Sequence, residues 1–174
     1  STAINAVNFT TAESKPDTLL RGVFFRQELF LMGTGSIEVW QNTANATGFP
    51  FSRSTVIARG LMGRQAVAGW EDGWANALLW VGDDAVVYEM KGYVPTRVST
   101  HDVERAIEQI ALAGNGSVLK AFVYMSEGHA FWALKSDEWC WVYDLTTGTW
   151  HERQSYGSAT WRAQFSVKNY GLWL

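Results

Sequence analysis

An all-β fold assembled from propeller-like, four-stranded blades is the fold class this sequence predicts, and three observations predict it. Short apolar runs alternate with turns rich in Gly, Asp, Asn and Ser, as strands joined by tight turns require. Ten tryptophans sit mostly within those runs, and aromatic side chains fit a pleated, half-buried surface. One pattern, an apolar run, a polar turn and a second apolar run, also recurs along the chain. Leu31, Trp80, Trp132 and Trp173 align at intervals of about 40 to 50 residues, the period of propeller blades.

The repeats read in order as follows. Val23-Phe24-Phe25 turns at Arg26-Gln27-Glu28 into Leu29–Gly33. Ala66–Trp70 leads through a turn over Glu71–Asn76 into Leu78–Gly82. Ala121–Met125 turns at Ser126-Glu127-Gly128 into Ala130–Leu134. Ala163–Val167 turns at Lys168-Asn169 into Gly171–Leu174. A third strand follows each of the first three pairs, at Ile37–Trp40, Val86–Met90 and Trp139–Tyr143, with a further extended stretch after it. The chain thus divides into a first blade over about 19–60, a second over about 64–99, a third over about 117–156 and the opening of a fourth over about 160–174. A blade cannot cover its own apolar faces and needs a neighbour on each side. The start at Ser1 and the apolar ending Tyr170–Leu174 suggest a piece of a longer protein.

One helix, over 100–113, interrupts the repeat. Ser99 and Asp102 have the spacing of a capping box. Val103, Ala106, Ile107, Ile110 and Ala111 recur on one helical face, and Gly114-Asn115-Gly116 stops the helix.

Composition narrows the function. A net charge of −3 argues against a general nucleic-acid binder. No apolar run approaches the roughly 18 residues of a membrane span. The single cysteine, Cys140, has no disulfide partner within the chain and lies between Trp139 and Trp141, where it reads as a small core residue. Asn8-Phe9-Thr10, Asn45-Ala46-Thr47 and Asn115-Gly116-Ser117 match the glycosylation tripeptide, which carries little weight without a secretory signal.

Candidate chemistry is sparse, and no catalytic, cofactor or metal site is expected. Asp83-Asp84 could bind a cation, but the pair falls in a hairpin turn, where Asp is common for backbone reasons. His101, Asp102 and Glu104 cluster at the helix start, and His129 and His151 are isolated in sequence. Gly33-Thr34-Gly35 reads as a turn. Arg53, Arg59 and Arg64, with Arg97 and Arg105, could meet the backbone of passing DNA non-specifically in a ring of blades, but surface ion pairing is the simpler expectation. Val142-Tyr143-Asp144, Thr147-Gly148 and Trp150 are similar to a kelch repeat lacking its double glycine. A kelch-like binding module of a cellular protein is therefore an alternative. A propeller glycoside hydrolase is a remote one, since Glu127, Asp137 and Glu138 all sit in turns.

One ordered series is more specific. Trp80, Gly82-Asp83-Asp84, Tyr88, Gly92-Tyr93, Pro95, Arg97, Ser99-Thr100-His101 and Glu104 resemble the packaged-DNA stabilisation proteins of short-tailed phages, the tail accessory or hub family. Glu38–Thr43, Phe49-Pro50-Phe51 and Arg59-Gly60 are similar to the same family. The resemblance runs from about Arg21 to the C-terminus and fits a middle section of a family member. It implies a structural virion protein that joins the portal protein ring after packaging, extends the tail channel and helps retain DNA; the disulfide-free composition suits assembly in the host cytoplasm. Implied partners are the portal, a tail needle or fibre protein, and further copies in a ring, six being the expected number. No cofactor and no membrane are implied.

Overall fold

The computed structural model describes residues 16–44 and 49–173. Asn8-Phe9-Thr10, Asn45-Ala46-Thr47 and Leu174 lie outside the described residues. The first sheet is a meander of β1 (Leu19–Phe25), β2 (Glu28–Gly33), β3 (Ile37–Asn42) and β4 (Phe51–Ile57). The second runs through β5 (Val67–Ala68), β6 (Leu79–Val81), β7 (Val87–Lys91) and β8 (Val94–Arg97). After helix α1 (His101–Leu112), the third follows as β9 (Lys120–Ser126), β10 (His129–Lys135), β11 (Cys140–Asp144) and β12 (Thr149–Glu152). All pairings are antiparallel, and each strand lies beside its neighbour in sequence. A last hairpin pairs β13 (Lys168–Asn169) with β14 (Leu172–Trp173). The fold is all-β with one helix, and the described sheets form no closed ring.

Side-chain alternation decides which face each sheet buries. In the first sheet Val23, Phe30 and Val39 stand in one cross-strand row, and Met32, Ile37 and Ile57 in the next, all facing the main core. The second and third sheets carry matching aromatic rows. Trp80 pairs with Tyr88, and Trp132 with Tyr143, which in turn pairs with Trp150. Trp80 and Trp132 are both fully buried. The first sheet has Leu31 opposite Glu38 at the aligned place, so the repeat holds there in position but not in side-chain type.

The main core runs through all three sheets and takes in Val103, Ile107 and Ile110 of α1. A smaller cluster of Phe122, Tyr124, Ala133, Cys140 and Val142 lies on the far face of the third sheet, with Trp161 and Ala163 packed on it. The helix ends as expected. The Asn115 N–H donates to the Ile110 carbonyl and the Gly114 N–H to that of Ala111, with Gly114 at φ 72°, a Schellman ending.

The structure differs from expectation in three local respects. Thr100, not Ser99, is the N-cap, and it makes no side-chain cap bond. The Ser99 hydroxyl instead accepts the Val87 N–H and donates to Glu104. The first hairpin turn is the pair Arg26-Gln27 alone, with Glu28 already in β2. Ala163–Val167 forms no strand. The Trp161 and Ala163 carbonyls are taken by the Lys135 ammonium rather than by a neighbouring strand. Lys168-Asn169 is consequently strand, and the turn falls at Tyr170-Gly171.

Candidate functional site

The residues of the ordered series Trp80–Glu104 cluster where one sheet meets the next. At the first junction the segment 58–66 crosses from β4 to β5. Its Leu61 N–H donates to the Gly33 carbonyl and its Met62 N–H to that of Val81, one bond to each sheet. Gly60 lies between them, its N–H donating to Asp83 Oδ1 at 3.0 Å. A Cβ on Gly60 would stand 2.1 Å from the Thr34 carbonyl oxygen, so only glycine lets the two backbone segments come this close. Asp84 works beside it. Its Oδ2 accepts the Tyr88 hydroxyl at 2.6 Å, and that hydroxyl accepts the Arg59 Nε at 3.1 Å. Gly82 leaves the room, since a Cβ there would meet Asp84 Oδ1 at 2.6 Å and the Tyr88 ring at 2.8 Å. Burial first, and the hydrogen bond to Asp84 second, push the Tyr88 phenol above its ordinary range. Both Asp83 and Asp84 are thus engaged in joining the sheets.

A second contact closes the other end of this junction. Gly92, at φ 63°, opens the tight β7–β8 turn and carries Tyr93 to the first sheet, where its hydroxyl donates to Glu28 Oε1 at 2.7 Å. Pro95 sits half-buried in β8, the outermost strand of its sheet. That position suits a residue with no N–H to donate.

The junction of the second and third sheets is built around α1. Arg97 holds Glu104 with two parallel bonds of 2.7 Å, from Nε to Oε1 and from a terminal nitrogen to Oε2. Glu104 Oε1 also accepts the Ser99 hydroxyl at 2.6 Å, and Ser99 accepts the Val87 N–H at 3.0 Å. Thr100 starts the helix, and His101 stands at its rim, 3.3 Å from Arg97. From the third sheet, Trp150 donates its indole N–H to the Val98 carbonyl, while the Trp74 indole reaches back from the β5–β6 loop to the Tyr124 carbonyl at 3.2 Å.

Other candidates do not converge. Glu127 lies on the β9–β10 turn and Asp137 and Glu138 on the β10–β11 turn, at opposite ends of β10. Arg53 pairs with Glu38 at 3.2 Å, Arg59 with Asp84 at 3.4 Å, and Arg97 with Glu104. Three of the five arginines singled out as possible DNA contacts are therefore tied into ion pairs. Among the described residues no group of three or more His, Cys, Asp and Glu is placed to hold a metal ion, and no helix is long and apolar enough to cross a membrane. Cys140 is buried, and that burial pushes its thiol up to about 11.

Sequence reasoning missed two local sites. His129 Nδ1 lies 2.7 Å from Asp144 Oδ2, and Asp144 also accepts the Thr147 hydroxyl and the Thr146 N–H. Burial works to raise the Asp144 carboxyl, but these hydrogen bonds outweigh it and hold it below its ordinary range. The Tyr-Asp and Thr-Gly signals of the kelch-like pattern mark this turn, although nothing in them points to His129. The second site brings Arg21, stacked 4.6 Å over the Trp70 ring, within electrostatic reach of Glu71. Burial lowers the Arg21 guanidinium and raises the Glu71 carboxyl from their ordinary values.

Consecutive four-stranded meanders, sharing one core and joined at each step by side-chain clasps, define a propeller-type structural scaffold. This chain belongs to the family described as Bacteriophage P22 Gp10, beta-propeller, whose model matches residues 1–174. It is accordingly a phage structural protein. No curated protein matches the chain.

Proposed function

We infer that this chain is part of the tail hub of a phage virion, attaching below the portal ring, extending the tail channel and helping to retain packaged DNA. The family match over residues 1–174 carries the reading. The three sheets would act as successive blades, and Trp80, Gly82, Asp83, Asp84, Tyr88, Gly92, Tyr93, Arg97, Ser99 and Glu104 as the joints that fix one blade against the next. Such joints suit a mechanical part, because several directional hydrogen bonds at each step resist shear better than an apolar contact alone. Partners would be the portal, a tail needle or fibre protein, and further copies in a ring, six being the expected number. Assembly would take place in the host cytoplasm. Contact with passing DNA would be confined to non-specific encounters with the backbone.

Immunogold electron microscopy of purified virions, with antibody raised against this chain, tests the reading. Gold confined to the tail vertex is the expected result. Unlabelled particles, with mass spectrometry finding no peptide of the chain in them, would overturn it.

A further inference from the structure

A cleft of about 710 Å³ opens at the end of the first sheet where the β7–β8 turn of the second meets it. Residues near the ends of the β1–β2 and β3–β4 hairpins line it. Phe24, 64% exposed, and Phe51 supply apolar surface, while Gln27, Glu28, Gln41 and Tyr93 supply polar groups. Glu28 is oriented from two sides. Its Oε1 accepts both the Gln41 amide at 2.6 Å and the Tyr93 hydroxyl at 2.7 Å, leaving Oε2 without a hydrogen bond among the described residues.

The turn that forms one wall is costly in a telling way. Arg26 and Gln27 stand at φ 50° and 65°, the left-handed region that favours glycine. The other two-residue turns with both positions left-handed, Glu127-Gly128 and Tyr170-Gly171, place glycine second. Here Gln27 takes that place, and it is one of the residues that line the cleft. Backbone strain kept where glycine would relieve it marks a side chain needed for something other than the turn.

We propose that this cleft binds a saccharide, with one pyranose ring lying on Phe24 and its hydroxyls read by Gln27 and by Glu28 Oε2. Amides and an oriented carboxylate offer the mixed donors and acceptors that adjacent hydroxyl groups match. Exposed aromatic surface beside them suits the C–H face of a sugar, a ligand at once polar and apolar. Glu28 and Arg26 carry opposite charges in the lining, which favours a neutral ligand over a polyanion or polycation.

Saturation-transfer NMR on the whole chain tests this, with the methyl α-glycosides of glucose, galactose, mannose and rhamnose at millimolar concentration and capped trialanine as the peptide. At least one glycoside should receive saturation and trialanine none. Gln27→Gly should raise the melting temperature by relieving the turn and weaken that signal at least threefold. Phe24→Ala should weaken it with no change in melting temperature, since the ring is largely exposed. Silence from all four glycosides, a response from trialanine instead, or a glycoside signal that both variants leave intact would overturn the proposal.

Discussion

The Trp150 indole N–H donates to the Val98 carbonyl across 2.8 Å, tying the outermost strand of the third sheet to the chain leaving the second, 52 positions earlier. Its ring also packs on Tyr143 at 5.1 Å and edge-on to Trp132 at 6.1 Å. Trp150→Phe keeps a ring in place and removes the donor. A carbonyl left without its partner in a partly buried place costs about 1–2 kcal/mol. In urea the unfolding midpoint should fall with an unchanged slope. A midpoint equal to that of the parent protein would mean that water replaces the indole and the tie contributes nothing.

Gly60 and Gly92 separate two reasons for glycine. A Cβ at Gly60 would lie 2.1 Å from the Thr34 carbonyl oxygen and 2.6 Å from the Gly35 nitrogen, both backbone atoms that move only if the junction opens. Gly60→Ala should destabilise by about 3 kcal/mol or more, the upper end of overpacking. At Gly92 a Cβ meets nothing within 4 Å, but the residue sits at φ 63°. Gly92→Ala should cost only about 1–2 kcal/mol, the left-handed penalty. Thermal melts of the two variants give the comparison, and equal losses would refute the steric account of Gly60.

Much of this architecture is legible in the sequence, because strand alternation is local. The runs around Leu29, Trp80 and Trp132 and their turns announce the meanders, and the apolar face of α1 announces the helix. The junctions are not legible in the same way. Asp83 finds its partner at Gly60 and Tyr93 at Glu28, 23 and 65 positions away, and nothing in either local pattern encodes those distances. The expected strand over Ala163–Val167 shows the converse. Its composition suits a strand, but Lys135, 28 positions away from Ala163, draws the backbone carbonyls elsewhere. Ser99 likewise has capping spacing, yet its hydroxyl serves Val87 and Glu104.

Asp144 and Glu71 should give opposite responses to acid. The Asp144 carboxyl is held below its reference value of 3.8 in the folded chain. Its contribution is present above that value and is lost as pH falls towards the depressed native value. Asp144→Asn should therefore destabilise at neutral pH, with the difference from the parent protein shrinking in strong acid. The Glu71 carboxyl is raised above its reference value of 4.5, chiefly by burial. Its ionised form penalises the fold at neutral pH, and the penalty fades as pH falls through the raised native value and is spent once pH is below 4.5. Glu71→Gln can still accept the Gly69 N–H, so it should stabilise at neutral pH and lose that gain in acid. Melting temperatures from neutral pH to pH of about 3 test both signs, and a Glu71→Gln gain that persists unchanged in acid would contradict the burial argument.

Lys135 and Cys140, opposite each other on β10 and β11, provide a local test of how the segment after β12 is held. The Lys135 ammonium is buried and donates to the Trp161 and Ala163 carbonyls at 2.8 and 3.1 Å. Trp161 in turn covers the cluster that contains Cys140, and Arg153 stacks on its ring at 4.1 Å. Lys135→Met keeps the chain length and apolar stem while removing both bonds. Global stability should change little, because the lost hydrogen bonds are offset by relief from burying a charge. The segment over Trp161 should nevertheless open more often. The Cys140 thiol, buried and pushed up to about 11, reacts with an alkylating reagent at neutral pH only through such openings. Labelling of Cys140 should accelerate about tenfold in Lys135→Met, equivalent to about 1.4 kcal/mol of easier local opening. If labelling keeps the parent rate, the ammonium is not what holds the segment, and the contacts of Trp161 with Phe122, Tyr124 and Arg153 suffice.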